Sequence, residues 1–528
     1  MAGADEVQQF GQVDAARRGD GPRAHGRDAT VARAPPPRGA PSDRGAGPGD
    51  PGTTVEEDVV QLAPQEQSGL GTGLKPRHIT MISIAGVIGA GLFVGSKTAI
   101  AEAGPGVLLS YAFAGLLVVL VMRMLGEMAT AHPDTGSFST YADRALGRWA
   151  GFSVGWLYWW FWVLVIPVEA TAAADILSSW IGAPQWVWAL LVTLALTASN
   201  LTSVGNYGEF EFWFAGVKVV AIVGFIAVGL LAIFGVLPGS DISGTPGFSL
   251  TGDAGGFLPN GFSAVLAGIL LTMFSFMGTE IVTIAAAESP DPQKGVRRAV
   301  NSVIGRIGVF YLGSIFVVVA LVPWNSAALD ADGSFQTTLQ AIGIPGAATI
   351  MDVVILTAVA SCLNSALYTA SRMVFSLSRR GDAPVWLSHV SRRGVPYPAI
   401  LASTVVGFLA VVGNYLLPEK IFEYLLATSG ALALVIYAFI ALSQVVVRRR
   451  LDEAGERPAV RMWLFPWLTY ATIAFIAVVL VLMVVLPGQR VQLALSLVLT
   501  VVVVALGLRH QRRRGPAARP ADEAAAHR

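Results

Sequence analysis

Charge is scarce in this chain. Only 13% of its 528 residues are Asp, Glu, Lys or Arg, about half the roughly 25% usual in soluble globular proteins. So little charge cannot cover the water-facing surface of soluble domains of this total length. The 36 basic and 35 acidic residues nearly cancel to a net +1, which excludes the strongly basic face that nucleic-acid binding requires. Cysteine is rarer still: Cys362 stands alone, so neither an internal disulfide nor a cysteine-based metal cluster is possible. The histidines (His25, His78, His132, His389, His510 and His527) show no HExxH or paired spacing, so no metal site, zinc hydrolase or cofactor is expected. Apolar residues, by contrast, make up 54% of the chain. That balance is the composition of an all-α integral membrane protein.

Residues 1–70 differ from everything after them. They are rich in Arg, Ala, Gly, Pro and Asp, include Pro35-Pro36-Pro37, and hold seven arginines against eleven acids. Such a segment buries too little apolar area to offset its ordering entropy, so it reads as a disordered cytoplasmic tail. It has no hydrophobic core of a secretory signal. An alternative start of translation nearer Val55 or Val60 stays open. The remainder divides into a transmembrane domain over 71–509 and a cytoplasmic tail over 510–528.

Twelve long apolar segments follow, at 79–99, 105–128, 150–177, 185–204, 210–236, 261–286, 302–323, 347–377, 397–415, 421–446, 463–486 and 490–508. Each approaches the ~20 residues that cross a ~30 Å hydrocarbon core as a helix. They are apolar on most sides, whereas helices of a soluble bundle carry a charged face. Segments 3 and 8 are long enough to tilt or to project from the bilayer. Trp149, Trp186, Trp324, Trp386 and Trp463 lie near segment ends, as interfacial anchors do.

The loops fix the orientation. Even-numbered loops hold Arg144, Arg148, Lys294, Arg297, Arg298, Arg379, Arg380, Arg392, Arg393, Arg448, Arg449, Arg450, Arg457 and Arg461. Odd-numbered loops hold only Lys97, Lys420 and Arg490. By the positive-inside rule both termini are cytoplasmic. No internal loop is long enough for a catalytic domain, and no nucleophile–base–metal set falls within the spans, so the chain does not read as an enzyme.

The chemistry concentrates in a few membrane positions. Segment 1 contains Gly86, Gly89, Gly91 and Gly95, and each glycine weakens a helix by about 1 kcal/mol relative to alanine. One reading is close helix packing through small residues. The other is a helix broken near mid-membrane, whose freed N–H groups face an anionic substrate group. A dinucleotide-binding fingerprint fails for want of a preceding strand. Segment 6 repeats the pattern, with Gly278 mid-span beside the ionisable Glu280. A carboxylate at the bilayer centre costs about 2.5–3.5 kcal/mol on insertion scales, so it is seldom left facing lipid; Glu280 is either a structural glutamate hydrogen-bonded to a neighbouring helix or part of the site. Breaks in segments 1 and 6 have the spacing of two five-helix repeats of opposite topology. Glu169, just after Pro167, and Lys218 are the other charges inside spans. Lys218 either snorkels toward an interface or serves the mechanism. Arg123 and Glu127 read as an i, i+4 structural ion pair. Asp352 and Arg372 read as structural.

At these residues the sequence resembles the amino acid–polyamine–organocation permeases, and among them the bacterial 4-aminobutyrate (GABA) permeases of the amino acid transporter family. The resemblance rests on Leu74-Lys75-Pro76-Arg77-His78 with the glycine run to Gly95, on Pro133-Asp134-Thr135-Gly136-Ser137-Phe138, and on Gly155 through Trp162. Asn206 through Trp213, Phe274 through Glu288, and Ser361 through Arg372 complete it. It covers about 70–510.

The resemblance implies a five-plus-five inverted repeat with two additional C-terminal helices, and alternating access around broken helices 1 and 6. Carried over by position, the substrate carboxylate meets backbone N–H groups at Gly89, Ala90 and Gly91. Phe274, Ser275, Met277 and Gly278 form the opposite wall and gate, with Glu280 beside them. Lys218 matches a lysine that replaces a sodium ion in similar proton-coupled permeases, which favours H+ as coupling ion. The expected function is import of GABA or a similar small zwitterion by proton symport across the bacterial plasma membrane. Glu169 and Glu280 are the candidate proton carriers, since a carboxyl in low-dielectric surroundings holds a proton more readily. An exchanger, or a permease for another amino acid, is the alternative.

Overall fold

The computed structural model describes residues 77–78, 81, 88–134, 136–202, 204–237, 244–248, 255–287, 291–416, 421–485 and 490–514. The expected tail over 1–70 and most of the first half of segment 1 lie outside the described residues. Among them every regular element is helical and there is no strand. Within a bilayer a helix satisfies its backbone hydrogen bonds inside one segment, which is why long apolar runs adopt it.

Nine described helices are long and apolar enough to cross a membrane, where the sequence predicts twelve segments. The difference has a geometric cause. The first, Ala90–Ala131, has 42 residues; a continuous helix of that length would rise about 63 Å, twice a hydrocarbon core. It turns at Gly104, at φ 60°, followed by Pro105, and so contains the second part of segment 1 and all of segment 2. Segment 4 forms the 16-residue helix Gln185–Asn200. Segment 9 forms the 20-residue helix Tyr397–Leu416, the length of a membrane span. Segments 3 and 8 form the long helices Arg148–Ile181 and Ala347–Arg379. The last helix, Arg490–Arg514, continues past residue 510.

Local signals explain several boundaries. Asp291 caps Pro292–Arg306 by accepting from the Lys294 N–H at 3.1 Å, and Pro292 sits where its missing N–H costs nothing. Arg148–Ile181 stops at Gly182, in the left-handed conformation at φ 77° that glycine adopts without strain.

Two sets of helices form the interior. Arg148–Ile181 and Ala347–Arg379 lie along one another and against Gln185–Asn200 and Tyr397–Leu416. Val107–Ala131 and Gly95–Ala103 pack on Gly261–Phe276, and Pro292–Arg306 joins Val107–Ala131. Ile421–Glu453 touches both sets. Trp467–Val485 and Arg490–Arg514 show outward apolar faces, with Val481, Val498 and Val501 exposed, as a hydrocarbon solvent permits. The broken part of segment 1 lies where the two sets meet.

Candidate functional site

In segment 1 the backbone is extended at Gly89 (φ −143°, ψ −148°), and a helix begins at Ala90. The Ala90 N–H donates to both carboxylate oxygens of Glu169, at 3.0 and 3.2 Å. Glu169 reaches it from Arg148–Ile181, two residues beyond Pro167. A Cβ on Gly89 would stand 2.6 Å from Glu169 Oε1 and 2.7 Å from Cys362 Cβ. Glycine is therefore required here by the close approach of two neighbouring helices, as the helix-packing reading expects. The N–H expected to meet a substrate carboxylate is held by the protein's own carboxylate.

Segment 6 is broken within its span. Gly261–Phe276 ends, Met277 is extended, and Ile281–Ala287 follows after a turn through Glu280. Gly278 has φ 104°, a conformation that costs other residues of order 1–3 kcal/mol. Its N–H donates to both oxygens of Glu280 at 3.1 Å. Each break thus carries one buried carboxylate on a freed N–H group. The Gly278 Cα faces Trp162, where an added Cβ would come within 3.0 Å.

The two breaks face one another. A Cβ on Gly91 would lie 2.9 Å from both Phe274 Cδ1 and Ser275 Cα. Between them is a cavity of about 10 Å³ bordered by Gly91, Trp162, Glu169, Phe274, Met277 and Cys362, room for about one water molecule. Near it, the Tyr158 hydroxyl lies beside Trp162 Nε1 and Glu280, and Ser275 Oγ beside the Tyr111 hydroxyl, all buried and none of these pairs in close hydrogen-bond geometry. The Ser275 carbonyl accepts from the Tyr311 hydroxyl at 2.8 Å. Gly89, Ala90, Gly91, Phe274, Ser275, Met277 and Gly278 therefore come together, with Glu169 and Glu280 at opposite breaks.

Lys218 is fully buried, so it does not snorkel. Its ionisable neighbours are Glu211, Glu169 and the Cys362 thiol. Glu211 is a residue the sequence reading passed over. It is also fully buried and accepts from Ser361 Oγ at 2.5 Å. The signal was present: Glu211 and Lys218 are seven residues apart, two turns along one face of an otherwise apolar helix. The polar set continues through Asn364, whose Oδ1 accepts from Asn200 Nδ2 at 2.7 Å, and Ser365, whose Oγ is 3.3 Å from the Tyr207 hydroxyl.

The Arg123–Glu127 pair is corrected. Glu127 accepts from Arg448 Nη1 at 2.6 Å, Gln444 Nε2 at 3.1 Å and the Met462 N–H at 2.7 Å. Arg123 instead donates to the Arg461 carbonyl at 2.7 Å and stacks on Trp463 at 4.1 Å. Spacing of i, i+4 brings two side chains near, but a neighbouring helix and its loop supplied better partners. Asp352 accepts from Gln336 and Trp180, and Arg372 lies over the Tyr368 ring at 4.3 Å, structural contacts as expected.

A family model described as amino acid permease matches residues 78–514. A probable GABA permease of Pseudomonas aeruginosa is 59% identical over 455 residues, covering 86% of this chain and 95% of that protein. The gamma-aminobutyric acid permease of Escherichia coli K12 is 60% identical over 443 residues, 83% of this chain and 94% of the relative. That of Bacillus subtilis is 52% identical over 442 residues, 83% and 93% respectively.

Proposed function

Because the chain belongs to the amino acid permease family, a family of membrane transporters rather than enzymes, we propose that it imports GABA, or a similarly small zwitterion, by proton symport. The substrate follows the names of the relatives at 59% and 60% identity. The observation that carries the mechanism is the pair of helix breaks, each capped by a buried carboxylate, with Lys218 and Glu211 behind one of them. In this reading the protein has twelve spans in two inverted repeats of five plus two further helices. It resides in the plasma membrane of a bacterium with both termini in the cytoplasm, and it needs no cofactor.

The substrate carboxylate takes the Ala90 N–H that Glu169 holds. Protonation of Glu169 weakens its claim, because a neutral acid accepts a hydrogen bond less strongly than a carboxylate. Proton uptake and carboxylate entry therefore favour each other. The ammonium group of the substrate takes the opposite wall, at Ser275 Oγ beside Tyr111. Phe274 and Met277 close over the chain between. Lys218, with Glu211, fixes a positive charge where a sodium-coupled carrier would need a cation, and so excludes sodium from the cycle. Glu280 holds the segment 6 break and releases Gly278 when it is protonated.

The test is uptake of labelled GABA into proteoliposomes under imposed proton or sodium gradients, with other amino acids as competitors. Uptake driven by a proton gradient and blocked by unlabelled GABA is expected. Uptake driven only by sodium would overturn the coupling. Strong uptake of another amino acid with none of GABA would overturn the substrate, and uptake that requires internal substrate would make the protein an exchanger.

A further inference from the structure

Away from the transport site, the exposed face between the end of segment 8 and the start of segment 9 carries a groove of about 580 Å³. That lies within the ~300–1,000 Å³ range of small-molecule sites. Tyr397, Leu401 and Val405 form one wall at i, i+4, i+8 spacing, and Trp386 with His389 form the other. Trp386, Tyr397, Leu401 and Val405 are all exposed.

The loop between the two walls is basic and built. The Gly394 N–H donates to the Ser391 carbonyl at 2.9 Å, and the Ser391 N–H to the Val395 carbonyl at 2.8 Å. This closed turn carries Arg392 and Arg393 at its tip, both exposed. The sequence from Ala383 to Pro418 contains no Asp or Glu. The preceding acid, Asp382, is engaged by Arg148 at 3.3 Å and by His510 at 3.1 Å. The positive end of the Tyr397–Leu416 helix faces the same loop.

We propose that this groove binds an anionic phospholipid, its phosphodiester headgroup on Arg392 and Arg393 and an acyl chain along Tyr397, Leu401 and Val405. Guanidinium groups pair with phosphate bidentately, and basic pockets beside membrane helices select anionic headgroups. Trp386 and Tyr397 have the amphipathic rings that settle at headgroup level. Two exposed arginines in the loop that links the two apolar walls match a molecule with an anion at one end and a long hydrocarbon at the other. A free phosphate would leave the trough unfilled.

The test uses the purified full-length protein with phosphatidylglycerol and phosphatidylcholine of identical chains, and native mass spectrometry to count retained lipid. The protein is expected to retain phosphatidylglycerol selectively. The Arg392→Gln/Arg393→Gln variant, altered only at exposed positions, is expected to lose about 30-fold of that selectivity, from about 5-fold per arginine. Phosphatidylglycerol with brominated chains should quench tryptophan emission, and Trp386→Phe should lose part of that quenching. Equal retention of the two lipids, or selectivity unchanged in the double variant, overturns the proposal. So does full competition by soluble glycerophosphoglycerol at equal concentration, which would make the site one for a free anion. None of these readouts depends on transport.

Discussion

Replacing Glu169 with glutamine tests the shared use of the Ala90 N–H. Glutamine keeps the shape and an acceptor oxygen, but removes the charge from a group bonded at 3.0 and 3.2 Å. A hydrogen bond to a charged acceptor contributes about 1.5–3 kcal/mol and a neutral one about 0.5–1.5. The difference of roughly 1–1.5 kcal/mol is what an incoming carboxylate no longer has to overcome. Glu169→Gln should therefore bind GABA about tenfold more tightly, measured with labelled GABA on purified protein at fixed pH. In the wild type, lowering the pH protonates Glu169 and should tighten binding; in the variant the affinity should be flat with pH. Proton-driven accumulation should be lost even though binding improves. Weaker binding by Glu169→Gln would refute the reasoning, because it would mean the carboxylate holds the substrate ammonium rather than competing with its carboxylate.

Glu280→Gln should abolish proton-driven uptake while sparing exchange of internal for external substrate; normal accumulation in that variant removes Glu280 from the coupling. Lys218→Met leaves Glu211 and Glu169 without their buried cation, so uptake should fall below a tenth of wild type at equal expression, and unimpaired uptake would return Lys218 to a packing role. Gly91→Val places a branched side chain against Phe274 Cδ1 and Ser275 Cα, each 2.9 Å from the first added carbon; GABA binding should be lost while the protein remains folded by circular dichroism. Glu127→Ala removes the acceptor shared by Arg448, Gln444 and the Met462 N–H, while Arg448 keeps Asp452 at 2.8 Å, so the cost falls toward the low end of the about 3–5 kcal/mol for breaking a buried pair. Thermal unfolding in detergent should shift well downward, less so for Glu127→Gln, and equal melting of the two variants would deny the carboxylate its role.

Much of the candidate site was legible along the chain because membrane insertion makes exceptions conspicuous. In an apolar run, Gly89, Gly91 and Gly278 weaken a helix, and Glu169, Lys218 and Glu280 carry charge where charge is costly, so each marks itself without knowledge of its neighbours. Glu211 shows the limit. It lies near Glu209 and the start of its span, where a charge is ordinary; its spacing to Lys218 places both on one face, and packing against Ser361 on another helix shows that it is buried. The Arg123–Glu127 reading failed for a related reason: local spacing identified two groups that meet, while the better partner of Glu127 lies 321 residues away in Arg448.

The sequence by itself determined that the chain is helical and membrane-embedded, where its helices weaken, and which charges sit inside spans. These follow from hydropathy, glycine content and the cost of burying charge, all properties of short stretches. Only the tertiary structure decided who holds whom: that Glu169 occupies the Ala90 N–H, that Glu280 caps its own break at Gly278, and that Lys218 lies beside Glu169 of another helix. Those pairings join residues from different helices, or set a side chain's rotamer against a broken backbone. Hydrogen bonds need donor and acceptor within about 3 Å in the right direction, and only the folded packing of several helices fixes such a distance.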